Sequence, residues 1–172
     1  MLRWFLHRRL NAEARKLGES VDYLHHVVDV SPGAFLRFAS ILPFANSRKV
    51  LPKDAWFVAQ IAAAQDAGCG PCLQITVNLA QQSRVDAGLI RATLAGNCDE
   101  LPPEMADVYR FTNAVIHSTG EEDALRETLR GRYGERGLIE LSYAIASSRI
   151  PPLVKRCLGF AKSCSAAPAR VR

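Results

Sequence analysis

The sequence predicts an all-α protein, and three features lead to that reading. Period-two alternation of β-branched residues never lasts more than a few positions. Apolar residues instead recur at three- and four-residue spacing along the chain, with small residues concentrated in its middle. Gly, Pro and Ser punctuate these periodic stretches where helices would start and stop. At 172 residues, 48% hydrophobic and 23% charged, the chain has the make-up of one ordinary globular domain, not of a disordered or fibrous one.

Taken in order, a short helix at 2–9 leads into a first long helix over 11–30. Ser31, Pro32 and Gly33 then break the chain. Ser31 suits a cap and Pro32 the first position of a second helix, which runs to about 44. Residues 46–52 read as a loop. An Ala-rich helix over 53–66 follows, with Trp56, Ala59, Ile61 and Ala63 as core candidates, and Gly68 closes it. Gly70 and Pro71 open a helix that ends near 82. Two more are expected over 85–96 and 104–118, separated by a loop at 97–103. The second of these carries an apolar stripe of Val108, Phe111, Val115 and Ile116. Glu121, Glu122 and Asp123 start the next helix, because acidic side chains in a first turn complement the helix dipole. Arg126, Arg130 and Arg132 read as pairing along that helix, which ends over 132–137. The strongly apolar stretch 138–148 reads as a central helix. Pro151 and Pro152 start the last one, ending near 163. The count is eight or nine helices in a single domain. N-terminal helices over 1–50 pack on a core of 51–165, and a frayed tail spans 166–172.

Charge narrows the partners only slightly. Lys and Arg number 22 against 17 Asp and Glu, for a net charge of +5, which is mildly basic and singles out no nucleic acid. No run of eighteen apolar residues exists, so stable membrane insertion is not expected. The opening stretch combines Leu2, Trp4, Phe5, Leu6 and Leu10 with Arg3, Arg8 and Arg9, a short basic amphipathic pattern. It suits contact with a membrane surface but is short for strong binding alone, so packing on the domain or on a neighbouring subunit is the preferred reading. It lacks the uninterrupted apolar core and small-residue cleavage site of a secretory signal, and a cytoplasmic location is expected.

Five cysteines, at 69, 72, 98, 157 and 164, are an odd number, which in a cytoplasmic chain argues for redox or metal chemistry more than for a disulfide framework. Gly68-Cys69-Gly70-Pro71-Cys72 is the informative stretch. Two cysteines three apart at a helix start lie on one face, one turn apart, where a small disulfide ring closes without bending the backbone. Unpaired N–H groups at a helix N-terminus favour an anion, so a thiolate there is stabilised, and the thiolate is the nucleophile. Pro71 has no N–H to lose in the first turn. This dipole argument marks Cys69, expected to be the more exposed thiol, as the nucleophile for disulfide exchange.

Three readings of the pair stay open at this level. It is a redox dithiol; or half of a zinc site completed by Cys157 and Cys164, seven residues apart on one helix face; or two small core residues. Cys98, in a loop, reads as an incidental thiol. Among other candidates, His25 and His26 are adjacent on a helix and diverge too far to chelate one metal together, so they read as surface histidines. His117 reads as a helix-end cap or solvated residue.

A Cys-Gly-Pro-Cys sequence also occurs in thioredoxin, but after a β-strand, and this chain offers none. The pattern instead resembles the alkyl hydroperoxidase D-like and carboxymuconolactone decarboxylase-like family, over about 51–164. The matching parts are Leu51-Pro52 with the helix through Ile61-Ala62-Ala63-Ala64, the run Gly68-Cys69-Gly70-Pro71-Cys72-Leu73, a short helix ending at Leu94-Ala95-Gly96, and the helices over 108–116 and 138–150. The resemblance implies an all-α fold that forms homo-oligomers, and a thiol oxidoreductase with no cofactor and no metal. It implies Cys72 as the residue that attacks a hydroperoxide, Cys69 as its resolving partner, and an external dithiol as reductant; exchange with a disulfide substrate through Cys69 is a different step, and both can hold. Decarboxylation is not implied, since the lactone decarboxylases work without this cysteine pair. The hydroperoxidases also place a His four residues after the second cysteine and a Glu twelve before the first, as a proton relay. Those positions are Thr76 and Phe57 here. Asp54, Gln60 and Gln74 are the polar residues nearby in sequence, and Asp54 reads as part of its own helix's first turn. The departure leaves open a non-catalytic, oligomeric or redox-sensing protein on the same fold.

Overall fold

A computed structural model describes residues 1–160 and 169–171. Among these residues the chain is helical throughout, with no strand. Its centre is α5 (Lys53–Asp66), in which nine of fourteen residues are buried. Ala55, Ala59, Ala62, Ala63 and Ala64 give it narrow sides, so neighbouring helices approach from every direction, while Trp56, Phe57, Val58 and Ile61 fill the space between. Around it pack α6 (Gly70–Gln82), α7 (Ala87–Ala95), α8 (Pro103–His117) and α9 (Glu122–Cys157). All four core candidates read from this helix are buried. Of the stripe on α8, Val108 and Phe111 are buried, but Val115 is exposed; Met105, Ala106, Thr112 and Ala114 take up the contact instead.

A second, smaller apolar cluster lies at the N-terminus. Leu6 and Leu10 of α1 (Leu2–Leu17) meet Val21 and Val28, the latter on α2 (Asp22–Val30), with Phe35 of α3 (Pro32–Ala39) against them. A single turn, α4 (Leu42–Ala45), brings Phe44 to within 4.4 Å of the Tyr143 ring on α9. The N-terminal layer is fixed to the core by side-chain amides of α6. Asn78 donates to the Leu17 carbonyl at 2.7 Å and Gln82 to that of Lys16 at 3.1 Å.

Several boundaries differ from the sequence reading. The expected break near residue 10 is absent, and α1 runs to Leu17. The chain turns at 18–21, where the Ser20 hydroxyl accepts the Asp22 N–H at 3.2 Å, and α2 follows with Val21 as its N-cap. Ser31 does cap α3, accepting the Ala34 N–H. The 97–103 loop holds a 3₁₀ turn at Cys98–Glu100.

The largest difference is in α9, whose range comprises two helices meeting at a break. The helix end expected over 132–137 is therefore present, and what differs is that the helix after the break runs on through the start expected at Pro151 and Pro152. The break falls at Gly134, with φ 68°, a conformation that L side chains rarely adopt. Pro151 and Pro152 lie inside the helix and do not open one. They cost two helical hydrogen bonds, but Pro152 is buried and the flanking turns are held from outside. Arg149 and Arg156, two turns apart on one face, both bond the C-terminal end of α5. The helix ends at Cys157; the expected end near 163 and much of the expected frayed tail, 166–168 and 172, fall outside the described residues. Within that tail Arg170 lies against α6, its N–H donated to Gln74 Oε1 at 2.7 Å.

The carboxylate of Glu140, 4% exposed, closes the opposite end of α5. It accepts the backbone N–H groups of Lys49 (2.9 Å), Val50 (2.9 Å) and Leu51 (2.8 Å), and Arg136 lies 3.6 Å away. Burial alone would raise its pKa. The N–H groups of Leu51, Lys49 and Val50, with the Arg136 guanidinium, outweigh that and hold it below the ordinary glutamate range.

Candidate active site

The turn between α5 and α6 carries the cysteine pair. Gly68, at φ 65°, reverses the chain, and Cys69 enters α6 as its extended N-cap, with φ −119° and ψ 95°. Pro71 sits in the first turn. The two cysteines are joined in a disulfide, with Cα atoms 5.3 Å apart, within the span such a bond needs. One helical turn at a helix start therefore delivers the geometry that the spacing predicts.

Exposure reverses the expectation for the pair. Cys69 is 4% exposed, packed beneath the turn, whereas Cys72 is half-buried. The cap residue tucks inward because α5 ends against it, and the helix then rotates Cys72 toward the surface. The more reachable sulfur is that of Cys72. No side chain caps the first turn of α6, so its N–H dipoles bear on the cysteines.

Charged groups converge on the same turn from α8 and α9. Arg156 donates to the Ala67 carbonyl at 2.8 Å and lies over Gly68, 3.8 Å from where a Cβ would stand. Asp66, three residues before Cys69, receives Arg149 from α9 and His117 Nε2 from the end of α8, the latter at 2.9 Å. An acidic residue at a helix C-terminus is disfavoured by the dipole, and two basic partners offset that. Reasoning from sequence missed Asp66, Arg149 and Arg156. An acid in the last turn of a helix was the available signal.

The other candidates scatter. Phe57 is buried in the core. Thr76 donates its hydroxyl to the Cys72 carbonyl at 3.1 Å, a helix-internal bond that leaves it no proton to relay. Asp54 lies at the far end of α5, with Oδ1 buried and no hydrogen-bond partner. Gln60 is half-buried in α5, and Gln74 bonds Asn78 and Arg170. Cys98 packs partly buried against the core, and Cys157 is exposed. Cys164 lies outside the described residues, and among those described no cluster of three or more His, Cys, Asp or Glu side chains could hold a metal ion.

Of the two histidines read as surface residues, His26 is exposed and His25 is half-buried. His7 and His25 share a hydrogen bond between their Nδ1 atoms at 2.6 Å, and His7 Nε2 meets Asp29 at 2.8 Å, so α1 and α2 are linked through a His–His–Asp chain. The His26 ring lies 5.4 Å from Phe160. In the acidic start of α9, Asp123 pairs with Arg126, and Glu127 and Glu135 pair with Arg130. Arg132 pairs across to Asp107 of α8, not along its own helix. No described helix is long and apolar enough to cross a membrane.

Compared with family models, with curated proteins and with solved structures, the chain matches none.

Proposed function

We propose that the chain is a thiol–disulfide oxidoreductase of the hydroperoxidase-like kind, in which Cys69 and Cys72 cycle between dithiol and disulfide. The observation that supports it most is the Cys69–Cys72 disulfide across the uncapped first turn of α6, with Cys72 the more exposed sulfur. The helix N-terminus and the Arg156 cation both favour a thiolate here.

In the reduced protein the Cys72 thiolate attacks the terminal oxygen of a hydroperoxide. The S–O bond forms as the O–O bond breaks, and the departing alkoxide takes a proton to leave as alcohol. The Cys69 thiolate then attacks the Cys72 sulfenic acid, forming the disulfide and releasing hydroxide, which is protonated to water. An external dithiol returns two electrons. It attacks the accessible Cys72 sulfur, Cys69 leaves as thiolate, and the donor's second thiol frees Cys72 as the donor becomes a disulfide. A disulfide substrate would enter by the same exchange. The His117–Asp66 pair supplies a titratable group beside the turn, which Phe57 and Thr76 do not. On this reading the protein works in the cytoplasm as a homo-oligomer, without a cofactor.

A second reading, a non-catalytic or redox-sensing protein, is favoured by Phe57 lying in the core and by the Thr76 hydroxyl being spent on its own helix. Dithiol-dependent peroxide consumption by wild type and Cys72→Ser separates the two. Loss of turnover in the variant supports the enzyme; the absence of turnover in wild type supports the second reading, and persistence in the variant overturns the role given to Cys72.

A further inference from the structure

The basic charge of this chain is not spread evenly. The sixteen residues of α1 carry Arg3, Arg8, Arg9, Arg15 and Lys16 against a single Glu13, a net of +4, while the whole chain carries only +5. Leu6 and Leu10 anchor this helix inward. Leu2, Trp4 and Phe5 point outward and are 53, 65 and 54% exposed. Among the described residues these apolar side chains belong to neither core cluster, and they sit beside the arginines on one helix. Arg8 lies 5.5 Å over the Trp4 ring. Trp4, His7, Arg8, Asn11 and Arg15 border an open cleft of about 350 Å³.

We infer that α1 is a docking surface for an anionic phospholipid bilayer, with Leu2, Trp4 and Phe5 entering the interface and Arg3, Arg8, Arg9 and Arg15 meeting the headgroups. The chemistry favours this occupant. A second copy would set one +4 helix against another and be repelled. A bilayer of anionic lipid offers both the negative potential and the apolar boundary in which Trp is favoured. Arg3, Arg8, Arg9 and Arg15 have no ion-pair partner among the described residues, so their charge is available to headgroups. The helix is already folded on Leu6 and Leu10, which removes the ordering cost that a short amphipathic peptide would bear on binding. The contact is peripheral and reversible, without any spanning segment among the described residues.

The test uses the full chain and vesicles of phosphatidylglycerol with phosphatidylcholine, against pure phosphatidylcholine and against duplex DNA. The protein has two tryptophans, and Trp56 is 4% exposed, so the fluorescence change on binding reports Trp4. The expected result is sedimentation with the anionic vesicles, a blue shift of Trp4, and weakening with added salt. Arg8→Gln with Arg9→Gln should reduce binding about thirtyfold, at roughly fivefold for each basic residue near an anionic surface. Trp4→Ala should weaken it while leaving the helical circular dichroism unchanged. The inference is overturned by failure to bind anionic vesicles, by equal binding to neutral ones, by binding that survives the double Arg variant, or by stronger binding to DNA.

Discussion

The two ends of α5 are each organised around a carboxylate, and they use it in opposite ways. At the N-terminal end Glu140 is sunk in the protein and receives three backbone N–H groups of the loop at 49–51. Fixed dipoles satisfy it, so it holds the chain in one path. At the C-terminal end Asp66 keeps 20% of its side chain exposed and is met by two side chains from different helices, His117 and Arg149. Long side chains on a partly wet carboxylate hold geometry loosely and leave a titratable group in contact with solvent. The closed end carries stability, and the open end carries the cysteines. A buried carboxylate bonded by backbone is architecture, whereas a partly exposed one bonded by side chains beside the cysteine pair is, on the proposed reading, where chemistry would be run.

The contrast can be broken by substitution, and the largest effect is expected at the closed end. Glu140→Ala leaves three N–H groups without their acceptor and should destabilise the fold by about 3 kcal/mol, read by urea unfolding. The same group sets an acid limit. Its folded pKa is lowered, so its contribution is fully present above the ordinary glutamate value near pH 4.5 and is lost as pH falls through the folded value. Unfolding of wild type should therefore ease below about pH 4.5, and Glu140→Gln should flatten that dependence. Next in size is Gly137→Ala. A Cβ there would collide with the Cβ of Tyr133, just past the break at Gly134, and overpacking of this kind costs about 1–3 kcal/mol.

At the open end stability should barely move while reactivity does. Arg156→Ala removes a cation from the turn before Cys69, and alkylation of the reduced protein at neutral pH should slow by roughly threefold. Asp66→Asn, the smallest effect on the fold, should cost less than about 1 kcal/mol. If Asp66 and Glu140 substitutions prove equally destabilising, the distinction between the two ends is lost.

What the sequence made legible followed from local rules. The bounds of α5 and α6, the cap at Ser31 and the placement of Cys69 and Cys72 all rest on spacing and turn residues within a few positions. What it hid depends on contacts between distant segments. The helical path through Pro151 and Pro152 depends on Arg149 and Arg156 gripping α5, some eighty residues earlier. The burial of Cys69 depends on how α5 ends, which no dipole argument contains. Glu140, on the outwardly apolar stretch 138–148, gave no sign that its partners were the backbone at 49–51. The bond between His7 and His25 joins two helices through residues eighteen apart in sequence, a pairing no local spacing rule contains.

The most direct test of the account is a pH titration of thiolate absorbance on reduced protein, comparing wild type with Cys69→Ser and Cys72→Ser. The account predicts a thiol titrating well below the ordinary value of about 8.5 in Cys69→Ser, absent from Cys72→Ser. Two ordinary thiols in the two variants would contradict it.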